Sequence, residues 1–486
     1  MQIRTGRMIK GLRLISLLII LSFSACIKVG PDYRPPEMDV PDKWHSDSSE
    51  KISTESDSTN LAKWWESFND PMLTDLINRA ILSNLSIKEA ALRLTEARIR
   101  RGVTGADKYP SVSSSASVSK SYTSGMSNTF YQLGFDANWE IDLFGGIRRS
   151  IEASDADLES SRESLRDVTI SLISEVALNY IQLRLYQSEL DITSSNLKAQ
   201  EETHEIVTWR YKAGLVTELD LKKSEYSLEQ TRAQVPSILL NIEQAENKIA
   251  VLLGCNPGEL KEELSPVKAV PVVQNKIKTG IPADLLRQRP DLRKAERDLA
   301  AQTARIGVAV SDLYPAITLS GSLKASSSTL SSLTDSDNLS RSIGPSISWP
   351  VFRGGAIKKN IEIQSTVADQ LLVQYKSILL SAVEEVENAL SSCFYQQIKN
   401  VSLNKACSAA QRAYELAKIQ YSSGLVDFQV LLEAQRTLLS LQDQVTQSEG
   451  QVSINYITLY KALGGGWSSL STDIQSVSAN GENKNE

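Results

Sequence analysis

Two kinds of periodicity divide this chain. Val112, Ser114, Ala116 and Val118 alternate with Ser111, Ser113, Ser115 and Ser117. Tyr131, Leu133, Phe135, Ala137, Trp139 and Ile141 alternate with Gln132, Gly134, Asp136, Asn138, Glu140 and Asp142. Later, Ile317, Leu319 and Leu323 alternate with Thr318, Ser320 and Ser322, and Ile343, Pro345, Ile347, Trp349 and Val351 with Ser342, Gly344, Ser346 and Ser348. A period of two with one apolar face predicts strands. Elsewhere the period is seven. Ile151, Leu158, Leu165 and Leu172 form one series; Leu221, Leu228, Val235, Ile242 and Ile249 form a second; Leu431, Leu438, Val445, Val452 and Leu459 form a third. Heptads kept this long predict coiled-coil packing. The stretch from Gly146 to Gly214 would reach ~100 Å as one helix at 1.5 Å per residue, too long for a compact domain.

The pattern occurs twice. When Tyr211 is laid on Tyr421, Gly214, Leu215, Val216, Leu221, Leu228, Gln234, Val235, Leu253 and Gly254 fall on Gly424, Leu425, Val426, Leu431, Leu438, Gln444, Val445, Leu463 and Gly464. Tyr109-Pro110 and Tyr314-Pro315 open the two Ser-rich strand regions; Phe144-Gly145-Gly146 and Phe352-Arg353-Gly354-Gly355 close them. Each half reads as a helix, two strands and two long helices. The first helix is expected to start near Ser86, with Glu89 completing a capping box, and its counterpart after Pro290. Gly214 and Gly424 suit C′ positions. Thr217 with Asp220 makes a capping box, Asp427 is a plausible N-cap, and Pro236 should kink or locally unwind its helix. The expected layout is a leader over 1–25, a linker over 26–70 and a first repeat over 71–254. That repeat has strands near 110–120 and 130–143 and long helices near 147–213 and 217–253. An intervening segment covers 255–290 and a second repeat 291–464, with strands near 315–325 and 341–352 and long helices near 355–423 and 427–463. A tail covers 465–486.

Alternating strands also build soluble sandwiches. Here the polar faces are small and uncharged or acidic, as in a wet lumen, and Tyr109, Trp139, Phe144, Tyr314, Trp349 and Phe352 gather towards one end like an interfacial girdle. Segments of about ten residues suit tilted transmembrane strands. Four strands cannot close a barrel, since small barrels need about eight, so closure must be shared between chains. The short glycine turns make each long helix pair an antiparallel hairpin, with its tip far from the strands.

Arg4, Arg7, Lys10 and Arg13 precede an apolar run from Leu14 to Phe23, with no acidic residue before Cys26. This pattern is an export signal rather than a spanning helix. Phe23-Ser24-Ala25-Cys26 resembles a lipobox, although Phe23 departs from the usual Leu. It predicts that Cys26 becomes the N-terminus, carrying N-acyl and S-diacylglycerol lipid. Loss of the four basic residues leaves a mature chain four charges more acidic than the formal -6 of the whole sequence, which suggests no nucleic-acid partner. Cys255, Cys393 and Cys407 read as small buried apolar residues. Cys393 and Cys407 would stand ~21 Å apart along one helix, beyond disulfide reach.

Several motifs, taken in order, carry a family resemblance. They are Gly30-Pro31-Asp32-Tyr33-Arg34-Pro35; Trp64-Trp65-Glu66-Ser67-Phe68-Asn69-Asp70-Pro71-Met72-Leu73; Arg289-Pro290-Asp291-Leu292 with Glu296; Tyr314-Pro315; and Leu459-Tyr460-Lys461-Ala462-Leu463-Gly464-Gly465-Gly466-Trp467. Over nearly the whole mature chain it resembles the TolC-like outer-membrane factors, in the lipoprotein branch that serves resistance-nodulation-division efflux systems. That resemblance implies an α plus transmembrane β fold: a trimeric 12-stranded outer-membrane β-barrel, four strands per chain, continued by a long antiparallel α-helical coiled-coil barrel. It implies an outer-membrane location, an equatorial belt from the 255–290 segment and the tail, and two protein partners. These are a periplasmic adaptor (membrane fusion) protein and an inner-membrane resistance-nodulation-division transporter.

The expected function is passive export of small toxic compounds. The alternatives are an outlet for polypeptides and a non-conducting, envelope-anchored rod. His45 and His204 have no partner at triad or ligand spacing and read as solvated, and five scattered methionines suggest no soft-metal relay. No catalytic or metal site is expected. Gly214, Leu215, Val216, Gly424, Leu425 and Val426 are the candidate adaptor-docking residues, because apolar turns at an exposed end call for a partner; they could instead simply staple the turns. Acidic residues after the second tip ring the periplasmic mouth in the family. Glu433 stands at one matching position and Val430 at the other, with Glu218, Asp220 and Asp427 as further gate candidates. Symmetry would turn each acid into a ring favouring cations, although acids in a first helical turn also serve as caps and dipole partners.

Overall fold

The computed structural model describes residues 28–37, 40, 44–45, 61–123, 125–273 and 286–466. Cys26 and the leader, most of the linker, 274–285 and the tail beyond Gly466 lie outside the described residues. The chain divides into two compact units, one formed by 1–37, 92–163 and 293–377, the other by 38–91, 164–292 and 378–486.

The first unit holds an antiparallel sheet of four strands in the order β1 (Ser111–Thr123), β2 (Met126–Ile141), β3 (Ala316–Ser327) and β4 (Leu339–Ser348). Its register keeps each alternating row on one face: Phe135 partners both Ser114 and Leu323, and Asp136 partners Ser113 and Ser322. One face therefore carries Val118, Tyr131, Leu133, Phe135, Trp139, Leu319, Leu323, Ile343 and Ile347. The other carries a polar ladder in which Thr318 and Ser346 are 2.9 Å apart, Ser322 and Ser342 2.8 Å, and Lys324 Nζ lies 3.1 Å from Asp136. The apolar face is left uncovered, with Val118, Phe135 and Ile343 all exposed.

The strands reach further towards their hairpin turns than the alternation suggested, and stop earlier at the other end. Asp142 leaves the ladder because its carboxylate accepts from the amides of Ile147 (3.2 Å) and Arg148 (2.9 Å) at the start of the next helix. Pro350 lacks an amide donor, so Trp349 and Val351 fall outside β4. The indoles of Trp139 and Trp349 donate to the carbonyls of Lys108 and Leu313, at 3.0 and 3.1 Å, and Phe144 stacks on Tyr314 at 4.6 Å. Gly30 accounts for the first motif. Its φ is 85°, and a Cβ there would stand 2.5 Å from Gly307 Cα. The buried Arg149 side chain donates to the carbonyls of Val29 and Gly30 and to Asp32, while Tyr33 donates to Glu296 at 3.1 Å.

Helices α1 (Pro71–Ser83) and α2 (Leu85–Ala106) replace the single helix expected near Ser86. Asp70 caps α1, accepting from Met72 and Leu73. Asn84, rather than Ser86 with Glu89, caps α2: its Oδ1 accepts from Ser86 (2.8 Å) and Ile87 (3.1 Å). The long helices are α3 (Gly146–Lys212) and α4 (Glu218–Leu252). After a short α5 (Lys261–Leu264) come α6 (Pro290–Ser311), α7 (Ala356–Ser422) and α8 (Phe428–Ala462). Pro236, where a kink or local unwinding is expected, lies inside α4, which continues as one helix on both sides of it. One interior proline removes a single amide donor, and the rest of the helix persists around it.

The second unit packs the larger parts of α3 and α7 with α4, α8 and α1. Trp64 and Trp65 are buried there, Trp64 stacking on Tyr460 at 5.2 Å, and Tyr180 donates to Asp70 at 2.7 Å. Arg289 ties its loop by donating to Ala462 O, Asp291 and Glu385. Of the three cysteines, only Cys393 is buried; Cys255 and Cys407 are half-exposed, and all three are free thiols. Burial pushes the Cys393 thiol up to about 12, which leaves it protonated and unreactive.

Candidate functional site

The two hairpin turns lie in the second unit and share one construction. Gly214 (φ 72°) and Gly424 (φ 74°) occupy the left-handed region. Their amides donate to Tyr211 O and Tyr421 O, and the amides of Leu215 and Leu425 donate to Arg210 O and Gln420 O, both at 2.9 Å. This pair of bonds is the Schellman closure. The same closure recurs at Gly254 and Gly464, where the other ends of the hairpins stop.

The side chains after each glycine then diverge. Val216 and Val426 pack against a cluster of Val207, Ala417, Tyr421, Phe428, Leu431 and Leu432. Leu215 and Leu425 remain 74% and 75% exposed. The Schellman motif usually turns its C″ residue back onto the helix; here both C″ leucines stay in solvent. The valines therefore staple the turns and only the leucines are presented. Nothing stands near an added Cβ at either glycine, so these glycines serve the backbone and not a close approach.

The gate candidates separate in the same way. Asp220 is committed to its cap, its carboxylate accepting from the Thr217 amide (3.3 Å) and hydroxyl (2.8 Å). Asp427 takes the N-cap position of α8 without a side-chain cap bond, and Glu218 is exposed in the first turn of α4. Glu433 is exposed and has no ion pair or hydrogen bond among the described residues. Val430, one turn earlier on the same helix, is 47% exposed.

Three basic or aromatic contacts near the tips were not anticipated. The Arg210 guanidinium donates to Tyr421 O (3.1 Å) and Ser422 O (2.9 Å) and lies 4.5 Å from the Tyr421 ring centroid. It thereby caps the last turn of α7, where the helix dipole favours a cation. Burial is the main cause of the raised pKa of the Tyr421 phenol, which the nearby Arg210 opposes. Arg436 donates to the Tyr226 hydroxyl at 2.7 Å, and these two residues occupy the same place in the two repeats. His204 is not simply solvated: its Nδ1 lies 2.8 Å from Ser224 Oγ, bridging α3 and α4. His45, although exposed, donates its backbone amide to Glu387 at 2.6 Å. The signal for Arg210 and Arg436 was present as places where the repeat changes chemistry, Arg210 against Gln420 and Tyr226 against Arg436.

The model of the outer membrane efflux protein family matches residues 76–255 and 281–465, the two repeats. The chain belongs to the outer membrane efflux protein family. It is 33% identical over 457 residues to "Nodulation protein T" of Rhizobium leguminosarum bv. trifolii, covering 92% of this chain and 96% of that protein. It is 30% identical over 469 residues to the "Probable outer membrane lipoprotein SilC" of Salmonella typhimurium, with 94% and 99% covered. The solved outer-membrane channel OprN superposes with a TM-score of 0.85 at 36% identity, over 90% of this chain and 99% of that one. This efflux channel is the outer-membrane component of a tripartite efflux pump, and it is not an enzyme. Its fold is α plus transmembrane β, a sheet destined for a barrel joined to long antiparallel helices. The rival reading of a non-conducting envelope rod falls with that assignment.

Proposed function

We propose that three copies of this efflux channel close one barrel of twelve strands and form a passive duct for small toxic compounds. One observation carries the reading: the sheet has an uncovered apolar face, a polar ladder on the other face, and unpaired edges at β1 and β4. An open edge invites pairing, and four strands per chain close no barrel alone. Each strand has at least the 10 residues of β4, enough to span when tilted. Cys26 carries the lipid anchor. A periplasmic adaptor docks on Leu215 and Leu425, linking the duct to an inner-membrane transporter of the resistance-nodulation-division type. Glu433 and Val430 line the mouth, an acidic ring beside an apolar constriction. Glu218, Asp220 and Asp427 serve the turns.

The test is dye export from cells that lack their own outer-membrane channel but retain adaptor and transporter. Wild type should restore export. Leu215→Glu with Leu425→Glu should not, at equal outer-membrane abundance. Failure of the wild type to restore export with any adaptor tried, or full export by the double variant, would overturn the docking scheme.

A further inference from the structure

We propose that Lys120 and Arg341 form a binding site for the phosphorylated headgroups of outer-leaflet lipid, on the outside of the barrel at each junction between chains. Followed towards the hairpin turn, the apolar row of β1 reads Val112, Ser114, Ala116, Val118 and then Lys120. The same row of β4 reads Ile347, Pro345, Ile343, then Arg341 and, last before the turn, Leu339. Register places both on the apolar face: Val118 partners Tyr131, two residues from Lys120, and Arg341 partners Leu323. Both side chains are exposed.

A cation on the lipid side is costly at the bilayer centre and tolerated at the headgroups. Each therefore stands near the headgroup level on its strand, one position of the row short of the turn, with Tyr122 and Leu339 beyond them. Neither has an acidic partner among the described residues; the one contact of Lys120 places its Nζ 5.4 Å from the Tyr122 ring centroid. The polar face behaves differently, since its Lys324 is neutralised by Asp136 at 3.1 Å. Two unneutralised cations facing lipid suit phosphate, which accepts a guanidinium fork and an ammonium together. Tyr122 adds an aromatic at the same interface.

β1 and β4 are the two edges of the sheet. Closure of the ring sets β4 of one chain beside β1 of the next, so each junction draws one cation from each chain. That last step rests on the ring reading above.

The experiment is native mass spectrometry of the full-length protein in neutral detergent, titrated with a bis-phosphorylated glucosamine lipid and with its dephosphorylated form. At roughly fivefold per basic residue, Lys120→Ala with Arg341→Ala should weaken retention of the phosphorylated lipid about 25-fold. The charge-conserving pair Lys120→Arg and Arg341→Lys should retain it, and wild type should hold the dephosphorylated form no better than the alanine pair does. Equal retention of both lipids by wild type, unchanged retention in the alanine pair, or displacement of the lipid by equimolar inorganic phosphate would each overturn the site. The protein's own mass reports separately on the ring: an intact trimer with indifferent lipid retention refutes this site alone, whereas absence of a trimer in wild type refutes the ring.

Discussion

At each hairpin tip, adjacent residues of similar chemistry do different work. Val216 and Val426 fill a core while Leu215 and Leu425 face water, a division that sequence identity between the repeats could not reveal. It changes which substitution is informative. Any side chain at Gly424 is strained by its φ of 74°, by ~1–2 kcal/mol for a left-handed residue, so that variant disturbs turn and docking together. Leu425→Glu leaves the turn intact. It should cost under about 0.5 kcal/mol of stability, as exposed sites do, and still reduce export at least tenfold in a dye-efflux assay. The acids divide likewise. In planar bilayers Glu433→Ala should weaken block by divalent cations and leave thermal stability unchanged. Asp220→Ala should leave cation block unchanged and cost ~1 kcal/mol through the lost hydrogen bonds to Thr217, read by chemical denaturation. Equal effects of the two variants on cation block would remove Glu433 from the gate.

Among the elements, those whose pattern repeats over many residues were legible. Period two showed the strands and the heptads showed the long helices, because each reports which face is buried. Their ends were less so. Asp142 abandons the ladder to cap a helix, and Asn84 caps where Ser86 offered the familiar signature, since competing local hydrogen bonds decide ends and a period does not. A separate α1 ahead of Asn84 went unforeseen although Asn69-Asp70-Pro71 spells an N-terminus. Helix interiors held another surprise. Behind the apolar heptads, Thr193, Gln200, Ser227 and Thr231 are buried, and with Asp443 they line a cavity of about 420 Å³. Burial raises the Asp443 carboxyl, and burial together with Asp443 raises Glu189. A carboxyl raised in the folded state holds more protons there than unfolded, so stability falls as pH climbs through that interval. Lowering the pH from neutral towards the ordinary carboxylate range should raise the melting temperature of the helical part. Asp443→Asn should flatten that dependence, and a wild-type melting temperature that falls over the same interval would contradict the burial argument.

For the whole molecule, duplication was the most informative feature of the sequence, because it joins the strand and heptad patterns into one architecture built twice. The motifs outside the strand and heptad patterns were readable as signatures, and the structure supplies their causes. Gly30 is small because it meets Gly307, Arg289 ties its loop to Ala462 and Glu385, and Trp64 stacks on Tyr460. Contacts such as Arg210 with Tyr421 were hidden because they join residues far apart in sequence through a fold that no local pattern encodes. The number of chains in the ring follows from none of these features singly; it follows from the open edges of the sheet taken with the family. The most direct measurement is therefore the intact mass of the complex extracted from outer membranes in detergent, for wild type and for Cys26→Ala. The shared-barrel account predicts three chains per complex in wild type, each beginning at Cys26 with added acyl mass, and loss of that added mass in the variant. A single chain per particle, recovered without lipid in the soluble fraction, would contradict it.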